Sequence, residues 1–216
     1  MLTATLGAPG SPLSILCLGA HCDDIAIGCG GTLLRLLKER EGSSVHWVVF
    51  AGDQERQAEE RACAAEILRA ATRVTIDVHS FRDSFFPSVI GPIKERFEAL
   101  KAQVEPDVVF THRGEDRHQD HRVVADLTWN TFRDHLIAEY EIPKYDADLG
   151  QPGLFVPLTQ ELARRKVQIL LAAFPSQARR AWFRSETFEA LMRLRGIECN
   201  APQGFAEAFG VRKIVI

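Results

Sequence analysis

Ser14-Ile15-Leu16-Cys17-Leu18-Gly19-Ala20 runs directly into His21-Cys22-Asp23-Asp24, and Gly28-Cys29-Gly30-Gly31 follows shortly after. A short apolar run that ends in a polar cluster reads as a buried strand stopping at a sheet edge, where the chain turns into a helix. At such a point a neutral imidazole (His21) and a carboxylate three positions on (Asp24) can turn toward one cation, and zinc accepts nitrogen and oxygen donors of this kind. The pattern returns about a hundred residues later, where Val108-Val109-Phe110-Thr111 precedes His118-Gln119-Asp120-His121. Two His/Asp clusters at the ends of two strands suggest a single site.

Between and beyond these clusters, apolar runs alternate with segments of helical period, the pattern of an α/β, Rossmann-like fold with a mostly parallel sheet and helices on both faces. The expected strands are Ser14 to Gly19, Val45 to Ala51, Val74 to Val78, Val108 to Thr111, Leu136 to Ile142 and Val211 to Ile216. Helices are expected over Thr32 to Glu41, Gln54 to Ala71, Gly91 to Val104, Asp120 to about Arg133, Thr159 through Leu171, and from a Ser185 cap to Gly196. Gly42 suits a left-handed turn after the first helix. Pro143 to Pro157 reads as a long irregular stretch of the kind that carries function. No repeat or low-complexity tract divides the chain, so residues 1–216 are expected to form one domain. In an open parallel sheet, ligands bind beyond the carboxyl ends of the strands, where His21 to Asp24, Gly52-Asp53, Arg82-Asp83 and His112 to His121 all fall.

Bulk properties narrow the functional classes. With 216 residues, 46% of them hydrophobic, the chain can bury a sizeable core. A formal charge of −3 offers no basic field to nucleic acid or to an anionic membrane. Residues 1–12 carry no Lys or Arg, and the apolar run after them is interrupted by His21, Asp23 and Asp24, which suits neither a signal peptide nor a membrane span. A cytoplasmic location is expected. The five cysteines, Cys17, Cys22, Cys29, Cys63 and Cys199, form no Cys-x-x-Cys pair and read as reduced thiols. Homo-oligomerisation is left open.

Ala20-His21-Cys22-Asp23-Asp24 with Gly28-Cys29-Gly30-Gly31-Thr32-Leu33, and Pro106-Asp107-Val108-Val109-Phe110-Thr111-His112 with His118-Gln119-Asp120-His121, resemble the PIG-L (LmbE-like) zinc-dependent de-N-acetylases over roughly Ile15 to Ala125. That resemblance implies a single zinc ion as cofactor. It also implies, as substrate, a small N-acetylated sugar or glycoconjugate of the N-acetylglucosamine type. His21, Asp24 and His121 match the metal ligands, Asp23 the general base, and His118 the histidine that stabilises or protonates the reacting group. Arg56 and Asp83 resemble residues that hold sugar hydroxyls. Two positions depart from the family pattern: Cys22 stands where proline is usual, and Ile25 where many relatives carry glutamate.

The chemistry follows from the residue types as well. An amide is a poor electrophile and water a poor nucleophile, and zinc improves both. Asp23, beside a ligand but not needed as one, can accept the water proton, and Asp120 suits a partner that orients an imidazole. Plainer readings stand beside these. Asp23 or Asp24 could simply cap a helix, the second cluster could be a solvated helix face, Arg56 could pair along its own helix and Asp83 could be a turn residue. His112 is a candidate behind the ligands, whereas His46 and His79 read as packing or surface residues. Basic residues outnumber acidic ones between Thr159 and Ile197, which suits an anionic substrate group or solvated helix faces equally. Rival functions are a nucleotide-binding protein using Gly28 to Gly31 as a phosphate loop, a non-catalytic zinc or carbohydrate binder, and a hydrolase of another acyl amide.

Overall fold

The structure, a computed structural model, describes residues 3–215. Met1, Leu2 and Ile216, which end the expected domain and the expected last strand, lie outside the described residues. Among the described residues seven strands form one sheet: β1 (Ser14–His21), β2 (Ser44–Ala51), β3 (Arg73–Val78), β4 (Val108–His112), β5 (Leu136–Tyr140), β6 (Leu154–Leu158) and β7 (Phe205–Gly210), in the order β3-β2-β1-β4-β5-β7-β6. The first five are parallel, and β7 runs antiparallel to both β5 and β6. The helices are α1 (Asp24–Glu39), α2 (Gln54–Ile67), α3 (Ile90–Gln103), α4 (Gln119–Thr131), α5 (Gln160–Ala173) and α6 (Ser185–Glu198).

Both faces of the sheet are covered, so β1 has no solvent side and is apolar from Ile15 to Ala20. Ile15 and Cys17 enter a core with α1, α2, α5 and α6, while Leu16, Leu18 and Ala20 enter a second core with α3 and α4. Gly42 takes φ 89° in the turn after α1, as its position suggested. All five thiols are free.

The sheet reverses its winding between β1 and β4, and there the two strands part. Their pairing ends at Cys17 and Phe110, although β1 stays paired to β2 as far as His21. Beyond the split, side chains satisfy the β1 backbone in place of a ladder: the Tyr140 hydroxyl donates to the Leu18 carbonyl at 2.7 Å, and His112 Nε2 accepts the Ala20 N–H at 2.9 Å. The opening is a crevice of the kind that binds ligands in open α/β sheets.

Several expected elements are corrected. The first helix begins at Asp24 rather than Thr32, so Gly28, Gly30 and Gly31 lie inside it and do not form a phosphate loop. They allow close packing: a Cβ on Gly28 would sit 2.3 Å from the Tyr140 ring, and one on Gly31 would sit 2.6 Å from Leu158. Among the described residues the closing strand is Phe205–Gly210, and residues 211–215 form none. The stretch expected to be irregular contains β6, an edge strand that accommodates Pro157 because an edge requires fewer ladder bonds. Strand β5 stops at Tyr140 rather than Ile142, and α2 stops at Ile67 rather than Ala71. Helix α4 begins at Gln119, and α6 is capped from Arg184 with Ser185 as its first residue.

The C-terminal third closes over α1. Lys166 and Glu207, both buried, pair at 2.6 Å. Lys166 also donates to the Ile27 carbonyl, and Glu207 accepts the Gly31 and Thr32 N–H groups at 2.9 and 2.6 Å. No helix among the described residues is long and apolar enough to cross a membrane.

Candidate metal centre and active site

The crevice is lined from three directions. His21 ends β1 and Asp24 begins α1, while His118 caps the N-terminus of α4 and His121 occupies its first turn. Both His/Asp clusters therefore meet at one point, as their positions in the sequence suggested.

The outer nitrogens of the two central imidazoles are taken by carboxylates. His21 Nε2 lies 3.1 Å from Asp120 Oδ2 and 3.2 Å from Asp83 Oδ1. His121 Nδ1 lies 3.0 Å from Asp116 Oδ2. In the neutral rings each outer nitrogen is then the N–H, and each inner nitrogen presents its lone pair inward. The inner pair, His21 Nδ1 and His121 Nε2, stand 3.2 Å apart. Asp24 completes a triangle, with Oδ2 at 3.5 Å from His21 Nδ1 and Oδ1 at 3.6 Å from His121 Nε2. Three electron-rich atoms face one another, and donors 2.0–2.1 Å from a tetrahedral zinc would be about 3.3 Å apart. The donor set fits such an ion.

Three overlapping triads also have ligand atoms within 4.8 Å of one another: His21-His118-His121, Asp24-His112-His121 and His21-Asp83-Asp120. Hydrogen bonding separates them from the triangle. His118 Nδ1 accepts the Asp120 N–H at 3.3 Å, and His112 Nε2 accepts that of Ala20. Asp83 and Asp120 lie on the outer side of His21. The surroundings favour positive charge at the centre. Burial opposes protonation of His21, but Asp120, Asp24 and Asp83 outweigh it and raise the imidazole well above its usual range. Burial, helped by His112, pushes His121 down to about 4, which leaves a neutral ring suited to ligation.

Asp23 occupies a strained position, with φ at 95°, a conformation that costs a non-glycine residue about 1–3 kcal/mol. Two side chains of α2 hold it there. Buried Glu60 accepts the Asp23 N–H at 2.8 Å and the Trp47 indole N–H at 2.6 Å, while Arg56 Nη2 lies 3.0 Å from Asp23 Oδ2 and also donates to the Cys22 carbonyl. Asp53 starts α2 by accepting the Arg56 N–H at 2.9 Å. Sequence reasoning left Asp23 unpartnered and weighed Arg56 between substrate and a pair along its own helix; the structure joins Arg56 to Asp23. Glu60 entered the sequence reading only as a residue that Arg56 could pair with along its helix; its place one helical turn after Arg56 puts both on the face of α2 that meets Asp23.

Cys22 is turned away from the centre. Its thiol donates to the Ala51 carbonyl at 3.5 Å, and a Cβ on Gly52 would lie 2.6 Å from its sulfur. Burial beside Glu60 raises that thiol, so it is a packed side chain rather than a thiolate ligand. The turn that carries Cys22 is held from α2 by Glu60 and Arg56.

Asp120 lies against an imidazole, with Oδ2 3.1 Å from His21 Nε2. Fully buried, it faces His21 and accepts the N–H groups of Ser84 and Phe86 at 2.6 and 3.0 Å. Asp116, to which the sequence reading gave no such part, faces His121 Nδ1 in the same way at 3.0 Å. Asp83 is 68% exposed at its side chain and lies at the mouth. His112 is buried behind Asp24, with Nε2 3.1 Å from Asp24 Oδ2 and its ring stacked on His121 at 3.9 Å. His46 pairs with Asp77, and His79 stacks on Phe50, both away from the centre.

Residues 16–132 match the family model PIG-L, described as GlcNAc-PI de-N-acetylase. The chain belongs to the PIG-L family. Among curated relatives of this PIG-L protein, the uncharacterized deacetylase YaiS of Escherichia coli (strain K12) is 31% identical over 133 residues, 56% of this chain and 69% of YaiS. The N,N'-diacetylchitobiose deacetylase of Pyrococcus horikoshii superimposes with a TM-score of 0.68 at 18% identity, covering 96% of this chain and 86% of that one. GalB, the 4-carboxy-2-hydroxymuconate hydratase of Pseudomonas putida KT2440, superimposes with a TM-score of 0.72 at 16% identity, covering 94% and 97%. At such identities the two structures establish the fold alone, and a deacetylase and a hydratase share it.

Proposed function

We propose that this protein is a zinc-dependent hydrolase that removes an acetyl group from the nitrogen of an N-acetylated amino sugar or its conjugate, with residues 1–216 acting as one catalytic domain. The observation that carries the reading is the triangle of His21 Nδ1, His121 Nε2 and the Asp24 carboxylate, whose outer nitrogens are already committed to Asp83, Asp120 and Asp116. The family match and the names of the deacetylase relatives support the amide substrate.

His21, Asp24 and His121 would hold the zinc ion, which supplies an activated water and polarises the amide carbonyl. Asp23 takes the water proton. Burial raises its carboxyl to about 8 while Arg56 pulls against that rise, which leaves a basic carboxylate suited to the task near neutral pH. His118, whose Nδ1 accepts the Asp120 N–H, carries its proton on Nε2 and can donate a hydrogen bond to the oxyanion that forms on the substrate carbon. The proton held by Asp23 can pass to the departing amine. Asp120 keeps His21 turned inward. Asp83, exposed at the mouth, is the residue best placed for sugar hydroxyls, and Arg56 contributes through Asp23.

Metal content of the wild type and of His121→Ala, prepared together, tests the reading. Near one zinc ion per chain in the wild type and loss in the variant is the expected result. Asp23→Asn should keep its zinc and lose about 10²–10⁴-fold in amine release from N-acetylated sugars. An Asp23→Asn protein that turns over as fast as wild type would remove the mechanism.

A further inference from the structure

Asp116 lies in the segment that joins β4 to α4, and its carboxylate is almost fully buried. Three donors converge on it: the His118 N–H at 2.8 Å, His121 Nδ1 at 3.0 Å and the Lys144 ammonium at 3.0 Å. Lys144 belongs to another part of the chain, the stretch between β5 and β6. Its ammonium also lies 2.6 and 2.8 Å from the two oxygens of Asp148, so one cation sits between two carboxylates that are both largely shielded from water. Asp148 in turn accepts the Arg117 N–H at 2.8 Å, and its carbonyl accepts Arg113 Nη1 at 2.6 Å. A Cβ on Gly150 would meet the Arg113 guanidinium at 2.4 Å, so the loop backbone lies flat on that arginine. Between these anchors Tyr145 is 70% exposed.

We propose that Lys144 is a positioning residue that fastens the 141–153 loop to the His121 side of the metal centre through Asp116, so that loop and centre become ordered together. The proposal rests on the metal reading given above. Without the ammonium, Asp116 and Asp148 face each other in a poorly solvated place with no cation between them, an arrangement that pushes them apart. Asp148 then keeps only its bonds to Arg117 and Arg113, so the loop is held less firmly, and Asp116 loses one of the three bonds that hold it against His121. A carboxylate behind a metal-bound imidazole is worth about 10–100-fold in metal affinity, and Lys144 contributes by keeping that carboxylate in place. Metal binding, in the reverse direction, fixes His121 and Asp116 and therefore steadies the loop.

The test uses the metal-free full chain titrated with Zn2+ against a chromophoric chelator, and chymotrypsin, which cuts after Tyr145, with and without Zn2+. In wild type, Zn2+ should slow the cut. Lys144→Met should bind Zn2+ about tenfold more weakly and be cut at the same rate with or without it, and Lys144→Arg should behave like wild type. Zn2+ affinity and protection in Lys144→Met equal to wild type overturn the proposal and leave the metal reading intact. Absence of Zn2+ binding in wild type removes the metal reading, and this proposal with it. If Lys144→Met does not fold, Asp148→Asn, which leaves the ammonium on Asp116 but weakens its loop partner, carries the test. Zn2+ should then no longer slow the cut, and protection equal to wild type overturns the proposal.

Discussion

Asp23 shows how much of this site depends on neighbours that the local sequence does not name. Its peptide is held in a left-handed conformation by Glu60, and its carboxylate by Arg56. Burial favours the protonated acid and the guanidinium favours the anion. Replacing Arg56 with Met removes the favourable charge, so Asp23 stays protonated to higher pH and the base form is lost sooner on acidification. The acidic limb of kcat/KM should therefore move upward by about one unit or more, read from a pH–rate profile on an N-acetylated sugar. A limb that stays where it was in wild type would mean that Asp23 is not the base or that Arg56 does not govern it.

Helix α1 carries Asp24 at its first residue and packs Gly28 and Gly31 against the sheet, while Gly30 faces α2 and α5. Gly28 is closed in by the Tyr140 ring, whereas a Cβ on Gly30 would come no nearer than 3.3 Å, to the end of the flexible Ile67 side chain. Gly28→Ala should destabilise the protein by about 1–3 kcal/mol through overpacking. Gly30→Ala should be near neutral, because the helical preference of alanine, about 0.5–1 kcal/mol, offsets the tighter contact. Urea midpoints of the two variants separate these effects, and equal midpoints would contradict the packing account. The same glycines explain why α1 was placed too late from sequence: glycine weakens helical propensity, and only the approach of β5 and β6 shows why it is needed. The alternation of β1 to β5 with α1 to α4 was readable because both faces of the sheet are buried, and the His21 to Asp24 and His118 to His121 clusters were readable because strand ends converge. Asp116, Glu60 and Lys144 were not. Each acts on a residue by tertiary contact, and no local period marks a carboxylate that faces an imidazole or an ammonium that joins two loops.

Across the whole molecule, the crevice exists because β1 and β4 part after Cys17 and Phe110, while the C-terminal third clamps α1 through Lys166 and Glu207. The triangle of His21, Asp24 and His121 spans that opening and ties β1 and α1 to α4. Considered as chain statistics, an ion bound there is a cross-link between Asp24 and His121, and it closes a loop of roughly a hundred residues. A covalent bridge across a loop of that length removes about 4.7 kcal/mol of unfolded-chain entropy on the simplest model, and a cation that leaves the chain on unfolding adds stability according to its free concentration over its Kd. Stripping the metal should accordingly lower Tm, and readding Zn2+ should restore it in wild type but not in His121→Ala, as followed by circular dichroism. The residues that prepare a cation for chemistry would then also set how long the fold survives without one.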